Sequence, residues 1–353
     1  MAQRSHWLAR MANILHDKCK LNPVAQSRRP SGRARAPTRA ARCAGTVAAR
    51  TLRLAALVVA LATVAPAARA QVRLPAVNLG DTSFEDGIAF PGVLVEEILG
   101  YATSDEYRDA HGNKVPGSNS ATIVDGVTHV AWISEWQLLG ANYGAEVLLP
   151  FADLDVRTSF GPNGRERGLG DITVSPLVLQ WGATKVFGMP LFQRFVLDVG
   201  LPTGSYSASL AVNPGANMYT VNPYYAFTLL PGSKLEISGR LHYLWSSAND
   251  DPFVALGVRS VQPGQAVHAN AAASYEVVEG VRIGVSGYAL RQVTDHRIDG
   301  KSIPGSAEQV FGVGPGLRLG ARGTWMYLNS YFEAGVENRP SVTKVVLRLS
   351  KAL

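Results

Sequence analysis

The chain has 353 residues, with 34 Lys and Arg against 27 Asp and Glu, for a formal net charge of +7. Residues 1–70 hold 13 of the basic residues and one acid, Asp17, whereas residues 71–353 hold 21 basic residues and 26 acids, a net −5. The basicity belongs to the N-terminal segment, so the remaining chain offers no electrostatic case for binding nucleic acid.

Both cysteines, Cys19 and Cys43, lie in the same basic segment. Residues 71–353 therefore have no disulfide framework, thiolate nucleophile or thiolate metal site. Only 17% of residues are charged, yet after residue 71 no apolar run approaches the roughly 18–20 residues of a membrane helix. Strands reconcile an apolar composition with the lack of a spanning helix.

Residues 1–49 are rich in Arg, Ala and Pro and read as a disordered basic extension. Residues 50–70 read as a signal peptide. Arg50 and Arg53 precede an apolar stretch from Leu54 to Val64, and Ala68-Arg69-Ala70 is a cleavage motif before Gln71. Some fifty residues ahead of a signal peptide are anomalous. A translation start near Val47 would remove the anomaly, with a transit peptide as the alternative; the A-x-A motif favours bacterial secretion. Residues 71–353 form the mature domain on this reading.

That domain is patterned with period two between turn residues, which predicts strands at 93–104, 121–136, 140–156, 171–181, 191–203, 217–230, 235–246, 265–277, 281–295, 308–319, 324–337 and 344–353. The clearest is Leu235–Ser246. It puts Leu235, Ile237, Leu241, Tyr243 and Trp245 on one face, with Glu236, Ser238, Arg240 and His242 on the other. The links alternate: long polar stretches at 105–120, 153–168, 204–216, 247–264 and 296–307, tight or moderate turns near Leu138 and at 182–190, 231–234, 279–280 and 320–323, and a short break at Asn338-Arg339-Pro340. Such alternation marks an up-and-down barrel in an outer membrane. The predicted fold is all-β: an up-and-down antiparallel transmembrane β-barrel of about twelve strands. Tyr101, Trp132, Trp136, Trp181, Trp245 and Trp325 sit toward strand ends, where interfacial girdles are expected. Period two alone leaves open which face is outside.

Several strings recur in order. They are Gly168-Leu169-Gly170-Asp171-Ile172 before Ser175-Pro176, Leu201-Pro202-Thr203-Gly204-Ser205-Tyr206, and Asn213-Pro214-Gly215-Ala216-Asn217 before Pro223-Tyr224-Tyr225-Ala226. Tyr288 to Asp295 before Gly314-Pro315-Gly316, and Glu337-Asn338-Arg339-Pro340, complete the set. Together they resemble the outer-membrane proteins named for the meta-pathway of phenol degradation, a transporter-like group, over residues 168–353 and more loosely 92–150. The resemblance implies a barrel serving uptake of small apolar or aromatic compounds. The chain departs from the common barrel ending in Phe or Trp, since it closes on Leu353.

If the apolar faces meet lipid, the opposing residues line the interior. The candidate lining or solute-binding residues are Arg194, Asp198, Glu236, Arg240, His242, Arg282, Tyr288 and Gln292. Charges of mixed sign in a narrow barrel more often pair across the interior than form an open selective pore. Pro176, Pro223 and Pro315 each remove a ladder hydrogen bond, marking either bulges or a lateral opening.

A lipid-modifying enzyme is a competing class, but the sequence has no G-x-S-x-G elbow and no H-E-x-x-H. Ser238 and His242 share a strand face but stand roughly 13 Å apart. A structural or adhesive surface barrel is the third class. The expected setting is the outer membrane of a Gram-negative bacterium. The expected partners are membrane lipid, small hydrophobic or aromatic solutes and the barrel-assembly machinery, with no cofactor, metal or nucleic acid.

Overall fold

The computed structural model describes residues 72–161 and 163–353. The extension expected at 1–49 and the signal peptide expected at 50–70 lie outside the described residues. In chain order the strands are β1 (Gly92–Ser104), β2 (Ser120–Leu138), β3 (Ala141–Arg157), β4 (Gly164–Leu169), β5 (Thr173–Val186), β6 (Met189–Gly200), β7 (Thr220–Leu229), β8 (Leu235–Ser246), β9 (Val261–Gln262), β10 (Ala266–Val278), β11 (Val281–Gln292), β12 (Arg297–Ile298), β13 (Lys301–Ser302), β14 (Gln309–Ala321), β15 (Thr324–Glu337) and β16 (Thr343–Ala352). All but β4, β9, β12 and β13 form one antiparallel ring of twelve strands. Each pairs with its neighbour along the chain, and β1 against β16, from Leu94↔Ala352 to Thr103↔Thr343, closes the barrel. Closure leaves no unpaired sheet edge, which a sheet in hydrocarbon requires.

The structure resolves which face is outside. On β8, Leu235, Ile237, Leu241, Tyr243 and Trp245 are exposed, while Glu236, Ser238, His242 and Ser246 are buried in the interior. The same inversion of a soluble protein holds on β2, where Val124, Val130 and Trp132 point out and Ala121, Ala131 and Ile133 point in. Such an apolar outer belt around a polar interior suits lipid outside the wall.

One end of the barrel carries only short turns. Leu139-Gly140, Phe187-Gly188 and Arg322-Gly323 each have positive φ at both residues, the geometry that matches the twist of a two-residue hairpin. The link expected at 182–190 is thus a two-residue turn, because β5 continues to Val186 through Thr184 and Lys185, which have no apolar alternation. At the long-loop end, β4 extends a hairpin where a loop was expected at 153–168. Asp153 pairs with Arg167 and Asp155 with Arg165 across β3 and β4, so opposite charges mark this extension instead of an apolar stripe. Trp325 also differs from expectation. It faces the interior, packs against the cluster of Phe84, Ala272 and Tyr327, and lies under Arg318, 5.9 Å from its ring.

The wall begins only at Gly92. Residues 72–91 run through the lumen as a plug, from the long-loop end, where Leu74 and Val77 pack beside Leu290, Val310 and Val336, to the short-turn end, where Glu85 and Ile88 border a cavity of about 570 Å³ with Met189, Pro190, Leu230 and Leu235. Two glycines let the plug lie against the wall. A Cβ on Gly87 would sit 2.4 Å from the Phe227 carbonyl carbon, and one on Gly80 (φ +84°) would sit 2.6 Å from the Tyr331 ring.

Candidate functional site

Because alternate residues of every strand point inward, the lumen is a set of side-chain tiers around the plug. The tier nearest the short turns is ionic. Asp86 of the plug receives both Nε (2.8 Å) and a terminal nitrogen (2.6 Å) of Arg240, and Arg194 donates to the Asp86 carbonyl at 2.8 Å. Glu85 lies 3.2 Å from Arg318 and 3.6 Å from Arg282. Its amide donates to Glu236, which also accepts from Ser238 (2.6 Å) and Ser274 (2.7 Å). Thr228 accepts from the Gly87 amide at 2.9 Å, and Gln180 donates to the Gly87 carbonyl at 3.1 Å.

Further along the plug, Lys344 donates to Asp81 (2.7 Å) and to the Leu79 carbonyl (3.0 Å). Asn270 brackets the chain there, accepting from the Gly80 amide at 2.8 Å and donating to Asn78 at 2.8 Å. Tyr331 donates to the Gly80 carbonyl at 2.9 Å. A pair of imidazoles stacks on the adjoining wall, His242 over His268 at 4.1 Å and 14°. Arg240 covers the Tyr224 ring at 4.2 Å.

A second network belongs to the wall itself. The ring nitrogens of His129 lie 2.8 Å from Glu96 and 3.2 Å from Glu146, while Ser350 donates to Glu96 and Arg348 stands 3.8 Å from it. Buried charges of both signs lie within 3.8 Å of a partner here, so each offsets the desolvation of the other.

The tier nearest the long loops is apolar. Leu74, Val77 and Leu79 of the plug fill a chamber walled by Ile98, Tyr288, Leu290, Val310, Tyr331 and Val346. Its rim is polar. Glu308 pairs with Arg339 at 3.8 Å and stands 4.0 Å from His296, and the nearby Leu74 amide favours its charged form. Burial pushes the Glu308 carboxyl up and holds His296 down to about 4.

A family model described as a putative MetA-pathway of phenol degradation matches residues 104–349. The chain belongs to that family. No curated protein matches it in sequence. Among solved structures it is similar to an outer-membrane channel from Pseudomonas putida F1, with a TM-score of 0.67, 18% identity, and 79% of this chain and 100% of that chain covered. It also matches the transport unit of an Escherichia coli autotransporter, AIDA-I, with a TM-score of 0.48, 9% identity, and 80% and 95% covered. The first of these shows the fold this family member adopts; the second is too distant to add to it.

Within this barrel, Arg194, Asp198, Glu236, Arg240, His242, Arg282, Tyr288 and Gln292 all have inward, shielded side chains. The structure joins Arg194, Glu236, Arg240 and Arg282 around the foot of the plug. Asp198 bonds Ser175 at 2.6 Å, Tyr288 donates to Glu333 at 2.8 Å, and Gln292 donates to the Thr294 carbonyl at 2.7 Å. His242 stacks on His268, and Ser238 bonds Thr228 and Glu236, so Ser238 and His242 do not meet.

Sequence reasoning missed the plug and its acids, Asp81, Glu85 and Asp86, together with Glu96 and Glu146. One signal was present. The stretch Asp81-Thr82-Ser83-Phe84-Glu85-Asp86 holds three acids without strand alternation, ahead of a lumen bearing Arg194, Arg240, Arg282, Arg318, Lys344 and Arg348.

Proposed function

We propose that this protein is an outer-membrane channel through which small apolar or aromatic compounds diffuse, linked to aromatic degradation of the phenol type. The observation that carries the reading is the division of the lumen. An ionic tier sealed by the plug opposes passage of ions, whereas an apolar chamber at the long-loop end suits an uncharged solute. The family description names phenol degradation, and the similar Pseudomonas putida protein is an outer-membrane channel. On this reading the long loops face the outside and the short turns face the periplasm. The segment at 50–70 is the signal peptide that sends the chain there, and membrane lipid and the assembly machinery are its partners.

The way out of the chamber is sideways, past Tyr331. β14 pairs with β15 at Val313↔Phe332 and again at Gly316↔Asn329, leaving Gly314 and Pro315 unpaired with Ser330 and Tyr331. A similar gap separates β7 from β8, between Val221↔Trp245 and Tyr224↔His242, at Pro223. Pro176 instead lies at a bulge between Val174 and Leu177. The β14–β15 backbones stay in contact, since a Cβ on Gly314 would lie 1.8 Å from the Ser330 carbonyl oxygen. Opening there needs strand separation, and the missing ladder bonds lower its cost.

Uptake of labelled toluene and phenol by a deletion strain, with and without the complementing gene, tests the reading. Gene-dependent uptake of either supports it; uptake unchanged by deletion across both solutes overturns it.

A further inference from the structure

The plug is held in two different ways along its length. From Asn78 to Gly87 it is fixed by directional polar contacts: Asn270 on Asn78 and Gly80, Lys344 on Asp81, Arg318 on Glu85 and Arg240 on Asp86. Thr82, Ser83, Phe84, Asp86 and Gly87 are buried. From Val72 to Val77 the hold is the packing of Leu74 and Val77 in the apolar chamber. Exposure alternates along this part: Arg73 and Ala76 are exposed and Leu74 and Val77 half-buried, whereas Val72 and Pro75 are buried.

These two holds respond differently to an apolar solute. Apolar contact is non-directional and scales with area, so a solute of similar size that enters the chamber replaces what Leu74 and Val77 supplied. No apolar solute can replace Arg240 on Asp86 or Lys344 on Asp81, because a buried charge left unpaired is strongly unfavourable.

We propose that the chamber walled by Ile98, Tyr288, Leu290, Val310, Tyr331 and Val346 is a solute site for uncharged monoaromatic or short aliphatic molecules. In the resting state Leu74 and Val77 of the plug tip, Val72–Val77, share it with Leu79 of the anchored part. The solute displaces the tip alone, and Asn78–Gly87 stays seated and keeps the lumen closed to ions. The tip thus competes with the cargo for one set of contacts. This rests on the channel reading above.

The test uses cysteine accessibility in the full chain carrying Cys19→Ser and Cys43→Ser, which removes its own thiols. Val77→Cys reports the tip and Ser83→Cys the anchored part, with Thr82→Cys in its place if Ser83→Cys does not fold. Each variant is reconstituted in nanodiscs, checked for heat-modifiable mobility, and labelled with a membrane-impermeant maleimide with and without toluene.

The expected result is a labelling rate at Val77→Cys raised at least fivefold by toluene, with the Ser83→Cys rate unchanged. An equal rise at both positions would mean that the whole plug leaves, and no rise at either would mean that the tip is not displaced; both overturn the proposal. Toluene uptake by cells, measured in parallel, separates the two readings. Uptake with no rise at Val77→Cys sinks the tip mechanism alone. A rise without uptake leaves the site standing and removes the channel.

Discussion

Arg240 of β8 and Asp86 of the plug face each other in a two-pronged ion pair, 2.6 and 2.8 Å, buried at the foot of the lumen. The planar guanidinium matches the carboxylate fork, and Tyr224 beneath it holds the Arg240 plane in place. This pair ties a segment outside the wall to a strand 154 positions later in the chain.

Removing one partner should therefore cost more than removing both. Arg240→Ala leaves Asp86 with only Arg194, 3.8 Å away, and should lower stability by about 3–5 kcal/mol. Asp86→Ala with Arg240→Ala should be the more stable protein of the two. Urea titration of the heat-modifiable band, completed as a double-mutant cycle, measures the coupling; additive losses would mean that the pair does not hold the plug.

Gly87 should tolerate no side chain. Gly87→Val drives Cβ into the Phe227 and Thr228 backbone, so the plug foot lifts while the ring of strands still closes. The expected outcome is a folded, heat-modifiable barrel with raised ion conductance in planar bilayers. Gly232→Val, where nothing lies within 4 Å of the new Cβ, should conduct as the parent does.

The loop cluster at the long-loop rim should loosen in acid. His296 is neutral and buried, its Nδ1 accepting from the Gly264 amide at 3.0 Å. Its folded value of about 4 lies below the ordinary 6.5, so the unfolded loop binds the proton first. The stabilising contribution is complete above 6.5 and is lost as pH falls toward 4. Hydrogen exchange at Gly264 should accelerate between pH 6.5 and 4, after correction for the intrinsic rate. His296→Asn, whose Oδ1 can accept the same amide without titrating, should lack that component. Glu308, pushed the other way by burial, is present in both proteins, so the comparison isolates His296.

Restoring a ladder bond should slow passage. Pro315→Val supplies an N–H where β14 is unpaired with β15, and a net gain of about 0.5–1.5 kcal/mol is expected from one hydrogen bond. Toluene uptake should fall severalfold while ion conductance stays that of the parent. Uptake equal to the parent's would place the exit elsewhere on the wall.

The wall was legible in the chain because its physics is local. Alternation along Leu235–Ser246 depends only on which side of a strand each residue faces, and turn pairs such as Leu139-Gly140 and Arg322-Gly323 act over two residues. Where alternation carried charge instead of apolar side chains, as at Asp153 and Asp155 against Arg167 and Arg165, the strand was hidden. Trp325 was misplaced because its position near a strand end says nothing about which face it occupies.

The sequence by itself determined a closed sheet of about twelve strands with an apolar and a polar face, and a set of residues on the polar face. Only the tertiary structure decided what those residues do. Arg194, Arg240, Arg282 and Lys344 meet Asp81, Glu85 and Asp86 because a segment without periodicity threads the finished ring. Partners that far apart in the chain become neighbours only on closure. The initial excess of charge lay in residues 1–70, whereas the ion pairs that shape the lumen are drawn from the nearly balanced charges of residues 72–353 and are assembled by the fold.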